Sequence, residues 1–472
     1  MAQTALPSCA AGKITRTSAR FNCGTLCSLT KMPISERLCS ATIVVKGSQN
    51  DHNCRCSEES SGKLRAVLGE QISQMKILLL NYEFPPIGGG SSPVAFEIGK
   101  RYVSRGHDVH VVTMGFDDLP RNEEVSGMTI TRVPCFRRRI EITMLHELAS
   151  YVFSAKRFLS KHLAVTHYDV NHTHFLLPTG LVAQSIKTSF GLPYIVSAHG
   201  SDIPGYNPDR FTFSHRFTRP LLKRIGDDAA KIVVLSEYHA SLIRENVHDY
   251  SAEQLIQIPN GIDRSSFSPA GKKKIILSTG RLLPRKGFQH LIRAVSDEDC
   301  GYELHICGDG PMMNELRNAA ALSRTPVVFH GWVDNQSEFY RDLLGAASIY
   351  VLASERENAS IALLEAMSAG CATITTGATG CRETVGDAGL LVRAGYPSDL
   401  RQSILSIIRD DDLRRSLQQR AIDRVRENFD WDTIVGRYEK ELIIAANSHR
   451  RRSRGGPVVD KLSTRRAAQR VD

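Results

Sequence analysis

Basic and acidic side chains follow two apolar, β-branched runs in the second half of the sequence. Arg281 and Lys286 come directly after the run at 275–280, and Glu357 follows the run at 348–354. Fixed cations stabilise the negative charge that develops on a departing diphosphate, and carboxylates accept hydrogen bonds from the hydroxyls of a sugar. The two charge types together favour a ligand in which a diphosphate is joined to a sugar.

A helix predicted at 361–369 places further groups beside these charges. Ser360 stands where an N-cap is expected, and Ile361 begins the turn whose free N–H groups can bind an anion. Glu365 lies more than one turn inside the helix, so a ligand at the helix start would be flanked by Glu357 and Glu365. A solvent-facing charge is the alternative for Glu365.

Three glycine-containing turns are expected near the same ligand. The turns at 308–311 and 331–334, which contain Gly308 and Val333, follow two further runs, and Gly89 and Gly90 precede a helical stretch in the first half. Glycine lets backbone N–H groups approach a phosphate at a helix N-terminus. The spacing is not the G-x-G-x-x-G of dinucleotide-binding proteins, so each turn also fits a purely structural role.

A histidine ends one run of the first half. His199 closes the run at 194–200 together with Gly200, and Ser201 and Asp202 follow it. At a strand end its ring would point toward the proposed ligand and could donate a hydrogen bond to a sugar hydroxyl. A structural role is the alternative for this histidine.

The runs that carry these residues belong to two series of short strands that alternate with helical stretches. Such alternation is typical of parallel sheets covered by helices on both faces. The first series lies at 76–82, 108–114, 128–134, 169–175, 194–200, 231–236 and 255–259, and the second at 275–280, 302–308, 326–331, 348–354, 372–376 and 389–392. A stretch rich in Pro, Ser, Gly and Lys at 265–274 separates them. We therefore predict two Rossmann-like, doubly wound α/β domains that face a central cleft, since such sheets bind ligands beyond the carboxyl ends of their strands.

Length and charge limit the class of protein. The 472 residues exceed what one hydrophobic core usually supports. The net charge of +10 resides at the two ends, because residues 1–74 carry nine basic and five acidic residues and residues 450–472 carry eight and two. The neutral remainder argues against nucleic acid as a partner. No apolar run reaches the ~20 residues that cross a bilayer and no secretory signal is evident, so we expect a cytoplasmic location.

The first 74 residues are rich in Ser, Thr and Cys and contain six of the eleven cysteines. They show no structural period and are predicted to lie outside the fold. A transit sequence, a disordered extension and a true start at Met75 remain alternatives. Their cysteines lack the spacing of zinc ligands, so no metal site is expected there.

Taken together, the motifs resemble those of the retaining glycosyltransferases of family four, also called glycosyl transferases group 1, which have the GT-B fold. The resemblance covers residues 75–446 and rests on seven motifs in family order. They are Phe84-Pro85-Pro86 with Gly89-Gly90, Arg105-Gly106-His107, Ala198-His199-Gly200-Ser201-Asp202, Asn260-Gly261-Ile262-Asp263, Gly280-Arg281 with Lys286-Gly287, Gly308-Asp309-Gly310-Pro311, and Glu357 with Glu365.

The resemblance implies an enzyme that moves a hexosyl unit from a UDP- or GDP-linked sugar to a hydroxyl acceptor with retention of configuration, without a metal or another cofactor. Arg281 and Lys286 would hold the diphosphate, Glu365 the ribose and Glu357 the transferred sugar. The implied catalytic residues are His199, Arg281, Lys286 and Glu357. The implied donor-binding residues are Gly89, Gly90, Gly308, Val333, Glu357, Ser360, Ile361 and Glu365.

The same resemblance implies the domain limits. Residues 75–265 would form the acceptor domain and residues 266–425 the donor domain. A last helix at 426–449 would cross back to the first domain, and residues 450–472 would form a basic, disordered tail.

Several alternatives stay open. A phosphorylase or nucleotide-sugar epimerase of the same fold would share these contacts, and so would a non-catalytic binding module. The family often has E-G-F-G where this chain has Glu357-Asn358-Ala359-Ser360, so the donor sugar does not follow from the resemblance. The acceptor could be a sugar, a lipid-linked molecule or a small molecule. The basic segment 136–139 and the helical stretch 144–163 could contact a membrane or simply pack as an ordinary helix.

Overall fold

The computed structural model describes residues 74–139, 143–206, 208–357, 359–377 and 380–455, and for residues 208–217 and 451–455 it describes the backbone only. The extension predicted at 1–74 therefore lies outside the described residues, apart from Gln74. From Gln74 onward the chain forms one compact unit.

The described residues contain fourteen β-strands. They are β1 Lys76–Leu80, β2 Asp108–Met114, β3 Asn122–Val125, β4 Met128–Val133, β5 Val170–His174, β6 Tyr194–Ser197, β7 Lys231–Val234, β8 Leu255–Gln257, β9 Lys273–Thr279, β10 Glu303–Cys307, β11 Val327–Gly331, β12 Ala347–Leu352, β13 Ala372–Thr376 and β14 Gly389–Val392.

Thirteen α-helices lie between and after the described strands. They are α1 Ser91–Ser104, α2 Leu145–His162, α3 Thr179–Phe190, α4 Pro208–Asp228, α5 Glu237–Asn246, α6 Phe288–Ser296, α7 Met313–Ala320, α8 Glu338–Ala346, α9 Ile361–Ser368, α10 Cys381–Val385, α11 Pro397–Arg409, α12 Asp411–Asn428 and α13 Trp431–Gly455.

The strands form two separate sheets, and each sheet is the centre of one lobe. The first lobe has the strand order β3-β4-β2-β1-β5-β6-β7-β8, and the second lobe has the order β11-β10-β9-β12-β13-β14. All pairs are parallel except β3 with β4. Apolar clusters cover both faces of each sheet. The predicted pair of doubly wound α/β domains is confirmed.

The order of strands reverses at one point in each sheet. The reversal lies between β1 and β5 in the first lobe and between β9 and β12 in the second. A reversal leaves a crevice at the carboxyl ends of the two central strands, because the connections leave to opposite faces of the sheet. Three of the quoted motifs follow these central strands: Phe84-Pro85-Pro86 comes after β1, Gly280-Arg281 after β9 and Glu357 after β12. The topology alone therefore brings these three to the crevices.

One strand was not predicted from the sequence. Residues 122–125 have the sequence Asn-Glu-Glu-Val and form an antiparallel hairpin with β4 at the edge of the first sheet. Short, charged edge strands carry little of the apolar pattern that marks buried ones. Several predicted strands also end earlier than expected: β1 stops at Leu80 and β6 at Ser197, because the residues beyond them form the loops of the cleft.

The last helix, α13, packs on the first lobe. Trp431, Ile434 and Tyr438 are buried in the same apolar cluster as α1. Glu439 accepts hydrogen bonds from the Arg105 guanidinium at 2.8 Å and pairs with His107 Nε2 at 2.8 Å. The Arg105-Gly106-His107 motif therefore fastens the end of the chain to the first lobe.

The end of α13 differs from the composition-based prediction. The helix runs to Gly455, so it includes the first six residues of the segment predicted as a disordered tail. Arg450 pairs with Asp169 of the first lobe. Residues 456–472 lie outside the described part of the chain. Among the helices of that part, none is both long and apolar enough to cross a bilayer.

Candidate active site

Two connected cavities lie between the lobes. The larger, of about 700 Å³, is lined by α1 of the first lobe and by the ends of β9, β10 and β11 of the second. The smaller, of about 410 Å³, is lined by the loops after β1, β5 and β6 and by the loop before α9. Gly90, Val94 and Ile361 line both cavities, so one ligand could extend from the first into the second.

Three of the predicted residues line the larger cavity at consecutive strand ends. Arg281 follows β9, Gly308 follows β10 and Val333 follows β11. The Arg281 side chain is exposed and makes no ion pair with any carboxylate in the described part of the chain. Gly308 has a φ of 154°, and a Cβ there would lie 1.9 Å from the carbonyl oxygen of Gly280. This glycine is therefore required by the close approach of two loops.

Glu365 forms the inner end of the larger cavity. Its side chain is buried rather than solvent-facing, and Tyr340 Oη donates a hydrogen bond of 2.7 Å to Oε2. Asn335 Nδ2 lies 3.5 Å from Oε1, at the limit of a hydrogen bond. Burial raises the pKa of this carboxyl above its usual range. A buried carboxylate with remaining acceptor capacity is suited to bind hydroxyl groups.

Lys286 and Glu357 form an ion pair beside the smaller cavity, which Glu357 lines. Lys286 Nζ binds Glu357 Oε2, and each side chain is less than one-fifth exposed. Gly287 ends the turn that carries Lys286 with a φ of 75°, and a Cβ there would meet the Ala353 carbonyl oxygen at 2.2 Å. The turn thus packs directly against the end of β12. An anion bound at this turn would share Lys286 with Glu357 or displace the carboxylate.

The start of α9 lies between the two cavities. Ser360 occupies the N-cap position as predicted, but its hydroxyl accepts no hydrogen bond from the helix. The Ser360 side chain lines the smaller cavity. The first N–H groups of the helix, beginning with that of Ile361, therefore donate no hydrogen bond to the Ser360 side chain. This could not be predicted from the sequence.

His199 lines the smaller cavity, is partly exposed, and stacks on His174, which is buried together with His172. His199 Nε2 lies 2.9 Å from His174 Nδ1, with the rings stacked at 5.2 Å. The ring centroids of His172 and His174 lie 4.4 Å apart, with the rings tilted by 32°. Desolvation by burial lowers the pKa of His199 to about 4 and that of His172 to about 3. His199 is therefore neutral near pH 7, and in the tautomer that carries the proton on Nδ1 it can donate to a ligand while Nε2 accepts from His174.

Asp202 fixes the backbone around His199. Its buried carboxylate accepts hydrogen bonds from the N–H groups of His199 and Gly200 at 3.0 Å and of Leu176 at 2.7 Å. Desolvation nevertheless raises the pKa of this carboxyl to about 6. The motif that follows β6 therefore uses its aspartate to hold the histidine loop in place.

The buried histidines predict how stability depends on pH. Burial holds the pKa of His110, His172 and His199 below the ordinary value of 6.5, so the folded protein binds fewer protons than the unfolded chain. The free energy of unfolding should therefore fall as the pH is lowered from 7.5 through 6.5 toward 5, by up to about 1.4 kcal/mol per pH unit for each such histidine.

Urea unfolding of the wild type and of His172→Gln at several pH values measures this dependence. The variant should lose close to one histidine's share of the slope, whatever its stability at pH 7.5. An identical slope in the two proteins would show that His172 is not held neutral by the fold.

The glycine-rich turn of the first lobe has an internal partner. Glu83 Oε2 accepts hydrogen bonds from the Gly89 N–H at 3.1 Å and from Ser91 Oγ at 3.3 Å. Glu83 and Gly89 both line the smaller cavity, and the space beside Gly90 is open. The Gly89 N–H that was predicted to approach a phosphate is thus occupied by a carboxylate in this structure, and Gly90 retains open access.

Every predicted site residue except Lys286 lines one of the two cavities of the cleft. The larger cavity contains Arg281, Gly308, Val333 and Glu365, the smaller contains Gly89, His199, Glu357 and Ser360, and both contain Gly90 and Ile361. Lys286 joins them through Glu357. Among the described residues, no three His, Cys, Asp or Glu side chains are placed to hold a metal ion. The partners Glu83, His174, Asn335 and Tyr340 were not predicted.

Two family models match the chain on either side of the interlobe segment. The model described as glycosyltransferase family 4 matches residues 88–266, and the model described as glycosyl transferases group 1 matches residues 261–424. Together they span residues 88–424, which include most of both lobes and every predicted site residue.

Known proteins agree with the family models. The N-acetyl-α-D-glucosaminyl L-malate synthase of Bacillus anthracis is 25% identical, and the match covers 75% of this chain and 93% of that protein. The sucrose-phosphate synthase structure from Thermosynechococcus elongatus matches with a TM-score of 0.67 at 21% identity, covering 79% of this chain and all of that one. The structure of Anabaena HepE with UDP-glucose matches with a TM-score of 0.61 at 18% identity, over 79% and 100%. The chain therefore belongs to the group 1, family 4 glycosyltransferases and has their GT-B fold.

Proposed function

We propose that this glycosyltransferase moves a hexosyl unit from a UDP- or GDP-linked sugar to a hydroxyl acceptor, with retention of the anomeric configuration. One observation carries the proposal: the buried carboxylate of Glu365 and the cation Arg281 line the larger cavity, and Glu357, paired with Lys286, lines the adjoining smaller one. This order matches the order of ribose, diphosphate and hexose in a nucleotide sugar.

The charges of the site suit the departure of a diphosphate. As the bond between the sugar C1 and the phosphate oxygen breaks, negative charge develops on the diphosphate, and Arg281 and Lys286 would stabilise it. Two cations of the chain can supply this stabilisation, and we propose that no metal ion or other cofactor takes part.

The other side of the sugar meets neutral and acidic groups. His199 is neutral and would donate a hydrogen bond to a sugar hydroxyl, and Glu357 would accept one from another. In the proposed reaction the acceptor oxygen attacks C1 from the face that the diphosphate leaves. The acceptor's proton passes to the departing diphosphate oxygen, so no side chain needs to form a covalent bond to the sugar.

The donor class is supported by the neighbours as well. Anabaena HepE was solved with UDP-glucose, and the structural match covers 79% of this chain. Asn358 stands where the family often has glycine, so the family pattern does not identify which hexose the donor carries. We therefore propose UDP- and GDP-hexoses as the donors to test.

A donor-by-acceptor screen with the full chain tests the proposal. A transferase releases UDP or GDP only when a hydroxyl acceptor is present, apart from slow hydrolysis of the donor, and the product glycoside keeps the donor's anomeric configuration by NMR. A phosphorylase would instead consume a glycoside with free phosphate, and an epimerase would change the sugar without releasing the nucleotide. Either result, or an inverted product, would contradict the proposal.

A further inference from the structure

Four large apolar side chains are exposed on one surface of the first lobe. Phe136 is 76% exposed, Met144 56%, Leu145 66% and Phe153 70%. Phe136 belongs to the loop after β4, and Leu145, Ala149 and Phe153 follow one another at four-residue intervals on the outward face of α2. Such spacing places them in one row. We call these four large side chains the apolar ridge.

Hydrogen bonds hold the ridge in a fixed shape. The buried Glu147 carboxylate accepts from the N–H of Arg138 at 2.9 Å and from the N–H of Met144 at 2.7 Å. The Phe136 N–H donates to Ser150 Oγ at 3.0 Å. The loop and the helix therefore present their apolar side chains together, and the exposure of these side chains is built into the fold.

Among the described residues of this loop and helix, the exposed charged side chains are all basic. Arg138, Arg139, Arg157 and Lys161 are exposed on the same loop and helix. The only carboxylate at residues 134–139 and 143–162 is Glu147, which is buried. Residues 75–449 carry no net charge in total, so the ridge is a local cationic surface on a neutral body.

The ridge lies at the edge of the sheet that forms the cleft. The loop of Phe136 leaves the carboxyl end of β4, and the Arg132 guanidinium donates to the Pro85 carbonyl oxygen at 3.0 Å. Pro85 belongs to the turn whose Glu83 lines the smaller cavity. The loop that carries Phe136 and the turn that carries Glu83 are therefore linked through Arg132, four residues before Phe136.

We propose that the apolar ridge and its four cations dock the first lobe on an anionic lipid bilayer. Apolar side chains enter the boundary between headgroups and acyl chains, and flanking Lys and Arg side chains bind anionic headgroups. Charge complementarity selects this partner over a neutral one. If the proposed transferase function holds, docking would bring a lipid-borne hydroxyl acceptor to the first-lobe side of the cleft.

Sedimentation of the full chain with vesicles tests the docking. Vesicles of phosphatidylcholine with about 30 mol% phosphatidylglycerol should bind the protein much more tightly than phosphatidylcholine alone, and salt at about 0.5 M should weaken this binding. The double variant Leu145→Ser with Phe153→Ser should bind at least about tenfold more weakly. Arg138→Ala with Arg139→Ala should lose about fivefold for each arginine.

A matched control uses an apolar side chain of the second lobe. Leu322 is 85% exposed, and Leu322→Ser should bind vesicles as the wild type does. Every variant keeps the basic chain ends, so binding due to those ends remains in all of them. Far-UV circular dichroism and thermal unfolding confirm that each variant is folded.

Three results would overturn the docking proposal. The first is equal binding to neutral and anionic vesicles, and the second is wild-type binding by the ridge variant. The third is a dimeric wild type with a monomeric ridge variant, which would mean that a second copy of the chain covers the ridge. Release of nucleotide diphosphate from a soluble donor, measured on the same samples, should be unchanged by the ridge substitutions. The vesicle measurement therefore tests the docking, and the release of nucleotide diphosphate tests the proposed transferase function independently.

Discussion

Replacing Lys286 by alanine should lower the turnover number about 10³-fold, within the range seen when one stabilising donor is removed from a charged transition state. Lys286 lies in the turn after β9 and its ammonium group is mostly buried beside Glu357. In the proposed reaction this ammonium meets the charge that develops on the diphosphate. Without this ammonium group, the charge on the diphosphate in the transition state and the Glu357 carboxylate both lack their partner.

The neighbouring arginine is the control for this variant. Arg285 lies in the same turn and is exposed, so Arg285→Ala should stay within a few-fold of the wild type. Steady-state kinetics with a saturating donor, and thermal unfolding to check the fold, give both comparisons. A Lys286→Ala enzyme with wild-type turnover would remove this residue from the catalytic site.

Replacing Glu365 by alanine should weaken the binding of UDP or GDP by about 1–3 kcal/mol, which is roughly 5- to 150-fold in Kd. Glu365 is buried at the inner end of the larger cavity, where Tyr340 orients it at 2.7 Å. If the carboxylate accepts hydrogen bonds from the ribose, alanine leaves those hydroxyls without partners. Tyr340→Phe should produce a smaller loss in the same direction.

The pH adds a second test of the same carboxylate. Because burial raises the pKa of Glu365, lowering the pH should protonate it earlier than an exposed glutamate and weaken nucleotide binding. Glu365→Gln should lack this dependence, and Glu355→Ala, which changes an exposed carboxylate, should bind as the wild type does.

The chain's two tryptophans give a direct signal for this titration. Trp332 and Trp431 both line the larger cavity, so their fluorescence should report a bound nucleotide. Calorimetry provides an independent Kd. Equal nucleotide affinities of Glu365→Ala and the wild type would place the ribose elsewhere.

The fold could be predicted because buried parallel strands have sequences that consist of short apolar runs. The runs at 372–376 and 389–392 coincide with β13 and β14, and the reversal of strand order then places the charged turns in a cleft. The strand at Asn122–Val125 could not be predicted, since an exposed edge strand needs no apolar residues. The helix at residues 450–455 could not be predicted either, because a run of basic residues is typical of a disordered segment.

The charged residues of the site could be identified from the sequence because they stand next to strand ends and a helix start. Their partners could not, because each contact joins distant positions. His174 lies 25 residues before His199, and Tyr340 lies 25 residues before Glu365. The alternation of His172 and His174 along β5 was a signal, since it places both rings on one face of the sheet. No local signal joined Arg105 to Glu439, which are 334 residues apart.

A crystal structure of the protein soaked with UDP, and in parallel with GDP, tests the central assignment most directly. We predict that one nucleotide occupies the larger cavity, with its ribose hydroxyls on Glu365 and its diphosphate within hydrogen-bonding distance of Arg281 and Lys286. A nucleotide bound at another surface, or a diphosphate that points away from this turn, would contradict the assignment.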